Sequence, residues 1–310
     1  ATQSMDSGDP KTLISCCEWA IRNYPAENYA LILWNHGSGI LDPKNSKIVN
    51  PSELFTFNPL TNKLELDRNT GFLELMYYMD VDDRGICWDS TTGNYLSNKK
   101  LETALTEITS RLLNGKKFAL LGFDACLMSM LEVAHMVKNF AHVMVASEEV
   151  ELGTGWNYNN VLSPFLNKSL DKIAFGQQIV SAYYDTYQNL TNDYTLSAIN
   201  LDVISALEEN FNRVSLLLVD CLHNQRNHSV REAIKASRNR KICTQFDVQS
   251  YIDMGHFYSL LMSNLYRFEI HGSATTINNL RATLEEGKRL IKQVAYANTV
   301  GKNLSNAEGI

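Results

Sequence analysis

The stretch Phe118-Ala-Leu-Leu-Gly-Phe-Asp-Ala-Cys-Leu-Met-Ser-Met-Leu131 decides the fold. Phe118 to Leu121 is an apolar run with the length of a short buried strand. Gly122 to Ala125 reads as the turn that follows. From Leu127 the spacing turns helical, with Leu127, Met130, Leu131 and Ala134 on one side. This pattern predicts that Cys126 sits where a strand gives way to a helix. Unpaired N–H groups at a helix N-terminus carry partial positive charge, which favours a thiolate and later an oxyanion. The plainer alternative is that Cys126 is a small buried hydrophobe.

Outward from this stretch the chain alternates. Asp9-Pro10 predicts a helix start, a capping Asp with Pro at the first helical position, running to about Arg22 before Pro25. Tyr29 to Trp34 is a second apolar run, a buried parallel strand, ending in Asn35-His36-Gly37-Ser38-Gly39. A histidine thus also stands at the C-terminal end of a strand, the edge where open α/β sheets build sites. Ser97 caps a predicted helix with Leu101, Leu105, Ile108 and Leu112 on its apolar face, ending near Gly115. His142 to Ala146 is the next strand and leads through Ser147-Glu148-Glu149 into Gly153-Thr154-Gly155-Trp156. Between the first strand and this series, residues 41–84 are irregular and read as a long insertion with one short helix, Phe72 to Met79. Gly85 to Asp89 reads as a short strand. Beyond residue 160 the pattern is mostly helical, about 169–189, 202–223, 229–239, 248–265 and 274–297, with one strand at Thr195 to Asn200. Alternating helices and strands predict an α/β fold, one mostly parallel sheet covered on both faces. We read residues 1–310 as a single domain.

Composition bounds the function. The 310 residues carry 28 Lys and Arg against 34 Asp and Glu, a formal charge of −6. That balance argues against a nucleic-acid surface, and no basic run suggests a membrane patch. No apolar stretch reaches transmembrane length. The six cysteines form no C-x-x-C, so neither a zinc ribbon nor a thioredoxin-type site is supported. The histidines other than His36 show no metal-ligand spacing. Asp80-Val-Asp-Asp-Arg-Gly85 fails as an EF-hand loop, because Arg84 and Thr91 stand where calcium ligands are needed. His36-Gly-Ser-Gly would suit the oxyanion loop of an α/β-hydrolase, but the chain has no G-x-S-x-G.

If the two strands neighbour each other, His36 and Cys126 emerge on one rim. The imidazole can then accept the thiol proton and protonate a leaving amine. The N–H groups of Gly37 and Cys126 can point at a developing oxyanion, and Asp124 projects close by.

This arrangement resembles the clostripain family of cysteine peptidases, within the caspase-like fold group that includes gingipains, legumains and caspases. The resemblance rests on Leu31-Ile-Leu-Trp-Asn-His-Gly and Leu120-Leu-Gly-Phe-Asp-Ala-Cys-Leu-Met. Flanking matches are Gly8-Asp-Pro, Trp88-Asp-Ser, Tyr95-Leu-Ser, Ala146-Ser-Glu-Glu, Gly155-Trp-Asn-Tyr and Tyr251-Ile-Asp-Met. It implies a caspase-like α/β/α sandwich with extra C-terminal helices. It implies an endopeptidase with Cys126 as nucleophile and His36 as base and acid, cutting after Arg or Lys. Asp124 would lie at the floor of the specificity pocket; its plainer role is a cap on the helix beginning at Cys126. Glu151 is a candidate second acid, Thr154 a neutral neighbour, and Trp156 either core or a wall of the pocket. The resemblance also implies self-cleavage in the segment after the histidine, here after Lys44, Lys47, Lys63 or Arg68, unless those are cations of a solvated loop. It implies peptide or protein substrates with basic residues, no cofactor for the chemistry, room for calcium as among relatives, and a secreted or surface location on a bacterium. It further implies a strand before the Gly-Asp-Pro helix and another after Ile310, so the chain reads as a core trimmed at both ends. The alternative is a non-catalytic binding module, a pseudopeptidase on the same fold.

Overall fold

A computed structural model of the chain describes residues 5–40, 54–68, 85–89, 91–223, 228–248, 250–268 and 274–310. Helix α1, Pro10–Asn23, starts as expected, with the Asp9 carboxylate accepting the Lys11 N–H at 2.9 Å and Pro10 in the first turn. Strand β1, Ala30–Trp34, follows. Inside the expected insertion lies an antiparallel hairpin, β2 Phe55–Asn58 and β3 Lys63–Leu66, and beyond it a two-residue ribbon, β4 Gly85–Ile86 with β5 Leu96–Ser97. Helix α2, Asn98–Glu107, is capped by Ser97 as predicted, and Gly115 stands left-handed just past its extension. Then come β6 Phe118–Asp124, α3 Leu131–Val137, β7 Ala141–Ala146, α4 Tyr158–Leu162, α5 Lys172–Tyr187, β8 Thr195–Asn200, α6 Ile204–His223, α7 His228–Ser237, α8 Met254–Asn264, α9 Ala274–Val294 and β9 Ala295–Val300.

Five strands form the central sheet in the order β1-β6-β7-β8-β9. β1, β6 and β7 pair in parallel, and β8 runs antiparallel to both of its neighbours. Four strands therefore point one way, and β8 alone runs against them. Side chains alternate faces along a strand. On one face Leu120, Val143, Val145, Leu196 and Ala198 pack with Ile179, Tyr183 and Tyr187 of α5. On the other, Leu121, Phe123, Met144, Ala146 and Ile199 pack with Ile14, Leu101 and Leu105, and with apolar stripes from α6 to α9. The result is a helix–sheet–helix sandwich, which is why these strands read as continuous apolar runs.

Four expectations change. The strand expected to end at Leu121, with a turn from Gly122, runs on to Asp124, because Ile32 to Trp34 pair with it there. The helix expected at 274–297 stops at Val294, where Ala295–Val300 pair with the edge of β8 as β9; no Gly or Pro marks the junction. The helix expected at 248–265 begins at Met254, where Asp253 accepts the His256 N–H as its cap. The helix after Cys126 begins five residues late, for reasons given below. The expected helix Phe72 to Met79 and residues 80–84 of the acidic turn lie outside the described residues. Among the described residues, no helix is long and apolar enough to cross a membrane.

Candidate active site

Parallel pairing of β1 with β6 sets Trp34 opposite Asp124. The ladder runs one step further, with the Asn35 N–H reaching the Asp124 carbonyl at 3.3 Å. His36 and Cys126 each lie two residues past that register pair, on neighbouring turns. The turns touch: a Cβ on Gly37 would stand 2.6 Å from the Cys126 carbonyl oxygen and 2.9 Å from Met128. Only glycine allows so close a backbone approach. The histidine turn is also strapped from the far end of the chain, where the Tyr251 hydroxyl donates to the Ser38 carbonyl at 2.9 Å. His36, Cys126, Asp124, Glu151, Gly155 and Trp34 line one cavity of about 510 Å³.

Cys126 does not begin a helix. Leu127 takes a left-handed φ of 62°, and α3 starts only at Leu131. The backbone here is drawn sideways instead: the Leu127 N–H donates to the Glu149 carbonyl at 3.2 Å and the Ser129 N–H to the Ser147 carbonyl at 2.8 Å. The helical spacing of the side chains is genuine, but these cross-links forbid helical torsions. A helix dipole therefore does not act on the sulfur, and Asp124 caps no helix. The Cys126 Sγ accepts the Glu151 N–H at 3.3 Å and is 2% exposed. Burial pushes the thiol pKa up; the Glu151 N–H opposes this, and the charges of Glu151, Glu149 and Asp247 add to it. Burial lowers the His36 pKa, which favours the neutral imidazole, the form that can accept a proton.

Asp124 is 2% exposed, and its Oδ2 accepts the Trp156 N–H at 2.9 Å and the Tyr158 hydroxyl at 2.8 Å. Burial raises its pKa, against the pull of those bonds. Glu151 stands beside it, buried, and both burial and the Asp124 charge raise its pKa well above the carboxylate range. Each acid disfavours ionisation of the other, and the rise is greater for Glu151.

The remaining expected residues separate. Thr154 is exposed on the rim, its hydroxyl 2.9 Å from that of Tyr187, and does not line the cavity. Trp156 has its ring in the core, under β6, against Gly122; it meets the site through its backbone N–H on Asp124 and its indole toward Glu151. Lys63 is tied down in β3, its Nζ donating to the Gln188 carbonyl at 2.8 Å and the Asn192 Oδ1 at 2.9 Å. Arg68 bridges Glu149 at 2.9 Å and Asp193 at 3.2 Å. Lys44 and Lys47 lie outside the described residues. Sequence reading missed Trp34, Gly155 and Tyr158. For Trp34 a signal existed, a large aromatic closing a strand one residue before Asn35-His36, but it was absorbed into the apolar run.

The family model described as the clostripain family matches residues 1–59 and 74–309. Clostripain of Hathewaya histolytica is 28% identical over 160 residues, which cover 50% of this chain and 24% of that protein. A secreted C11 cysteine protease from Bacteroides thetaiotaomicron, solved with an irreversible peptide inhibitor, superposes with a TM-score of 0.54 at 18% identity, covering 96% of this chain and 65% of that one. An inactive zymogen C11 protease from Parabacteroides distasonis gives 0.55 at 17% identity, covering 97% and 64%. At these identities the structural likeness speaks to fold, and the fold is the caspase-like sandwich expected from the motifs. The chain spans less than two thirds of the length of each of these relatives.

Proposed function

The chain belongs to the clostripain family, and from that membership we propose that it is a cysteine endopeptidase cutting peptide bonds after Arg or Lys. One observation carries the reading: an imidazole, a thiol and a buried carboxyl pair line a single cavity at the ends of adjacent parallel strands. In this reading His36 takes the Cys126 proton as the sulfur attacks the scissile carbonyl. The N–H groups of Gly37 and Cys126 hold the oxyanion. His36 then protonates the departing amine, and water, deprotonated by His36, releases the acyl group from sulfur. These steps require no cofactor. Asp124, with Glu151 as second acid, receives the basic side chain before the scissile bond.

The buried thiol favours a further element of the proposal, that the described arrangement is a resting one. Both dyad groups are neutral in it, and the sulfur is clasped by the Glu151 backbone. Movement of residues 147–155 would free the sulfur. Self-cleavage fits the same picture. Cutting after Lys63 would require peeling β3 from β2, and cutting after Arg68 would require breaking two ion pairs, so we assign processing to Lys44 or Lys47. We also assign the enzyme to the outside of a bacterial cell, like the secreted C11 protease of Bacteroides thetaiotaomicron.

A fluorogenic Arg or Lys peptide assay, with and without a thiol alkylator, tests the core of this. Activity that is lost on alkylation and absent from Cys126→Ala supports it. A protein inert toward every such peptide and toward the alkylator would instead be the pseudopeptidase. Intact mass tests processing: a chain clipped equally in wild type and Cys126→Ala is not cutting itself.

A further inference from the structure

We infer that Trp34 is a specificity-determining residue, whose indole carries the aliphatic stem of the basic side chain that reaches Asp124. The inference rests on the reading that Asp124 receives such a side chain. Trp34 and Asp124 are register partners on neighbouring parallel strands, so they approach the cavity together. Their depths differ: Asp124 is 2% exposed at the base, while Trp34 is 61% exposed at the mouth. Gly155 lies between them with a φ of 63°; a Cβ there would stand 2.7 Å from the Trp34 Nε1 and 2.7 Å from the Asp124 Oδ2. With no side chain at this position the loop packs against both groups at once, which sets the indole edge and the carboxylate on one wall of the cavity. Tyr158 ties the two walls together, its ring 6.4 Å from that of Trp34 and its hydroxyl on Asp124.

A single exposed tryptophan needs no explanation by itself. Here the indole stands over the entry to a buried carboxylate, and its partner is legible from that chemistry. The ligand must be anionic-site seeking at its tip and hydrocarbon behind the tip. Lys and Arg are amphipathic in this way, with an apolar stem and a charged head. The carboxylate selects the charge, and the indole selects the length of stem behind it.

Straight-chain alkylguanidines, from methyl to butyl, separate the two contributions when used as competitive inhibitors of Arg-peptide hydrolysis. Asp124 anchors the common head, and each added methylene extends toward the mouth. In the wild type, inhibition should tighten about fourfold per methylene. In Trp34→Ala the series should flatten to less than about twofold per methylene, with KM for the Arg peptide raised about tenfold or more and kcat retained. Trp34→Phe should restore most of the slope. Because the side chain is exposed, these variants should fold, which an unchanged thermal midpoint would verify. A wild-type slope surviving in Trp34→Ala overturns the inference alone. A wild type that cleaves Arg peptides no better than norleucine peptides, or that no guanidine inhibits, overturns the reading of Asp124 and this inference with it.

Discussion

Two buried acid pairs draw their glutamates from one short loop, and they differ in what their aspartates hold. Glu151 stands beside Asp124, and Glu148, three residues earlier, beside Asp253; all four are under 5% exposed. In both pairs burial raises the carboxyl pKa values, to about 6 for Asp253. Yet both oxygens of Asp253 are committed to backbone N–H groups, Oδ1 to His256 at the start of α8 and Oδ2 to Glu308 near the chain end. Asp124 caps no helix, and it shares its cavity with an imidazole and a thiol. Perturbed titration marks both corners equally, as structural networks also produce it. Neighbours and access distinguish a tie within the fold from a candidate binding floor.

The harshest way to break this contrast is to remove the sulfur that only the Glu151 corner has at hand. Cys126→Ala is expected to lose turnover by about ten-thousand-fold or more, far beyond the modest loss of stability from orphaning the Glu151 N–H. Next, Asp124→Asn should lower kcat/KM for Arg peptides by about a hundredfold, with a norleucine peptide little affected. Asp253→Asn should leave both rates within about threefold. If the two aspartates behave alike in that assay, the distinction collapses. Conversely, Asp253→Ala should cost about 2–3 kcal/mol in urea unfolding, since it removes a helix cap and orphans the Glu308 N–H.

Titration sharpens the contrast more gently. A carboxyl whose pKa is raised by folding contributes its stability fully below the ordinary value near 4 and loses it as pH rises through the folded value. For the Glu148–Asp253 pair that loss runs from about pH 4 upward through about pH 6. Glu148→Gln should therefore be stabilising by about 1 kcal/mol at pH 7.5 and neutral near pH 4, read as thermal midpoints. The smallest effect is kinetic. Because burial lowers the His36 pKa, the acid limb of kcat/KM should fall below pH 6.5, and a limb above that value would assign it to another group.

Much of this was legible in the chain because parallel strands buried on both faces must be apolar throughout. β6 and β7 stand out for that reason, β1 by an apolar run of its own although it lies at the sheet edge, and the turns holding His36 and Cys126 follow from where β1 and β6 end. What stayed hidden depended on contacts between distant segments. Nothing local says that the Leu127 and Ser129 N–H groups are claimed by residues 147 and 149, so the helix seemed to begin too early. Nothing in Ala295 to Val300 says that β8 offers it a free edge. Trp34 and Trp156 are equally apolar in sequence, and only Gly122, which leaves room for one of them under β6, decides which is core and which is mouth.

The strap from Tyr251 to the carbonyl of Ser38 spans 213 residues. A ribosome adding about 5–20 residues per second needs roughly 10 to 40 seconds to travel from one to the other. Throughout that interval the histidine turn is out and its fastening is not yet made. The rim on which His36 stands is thus fastened late, only after these 213 residues have been added.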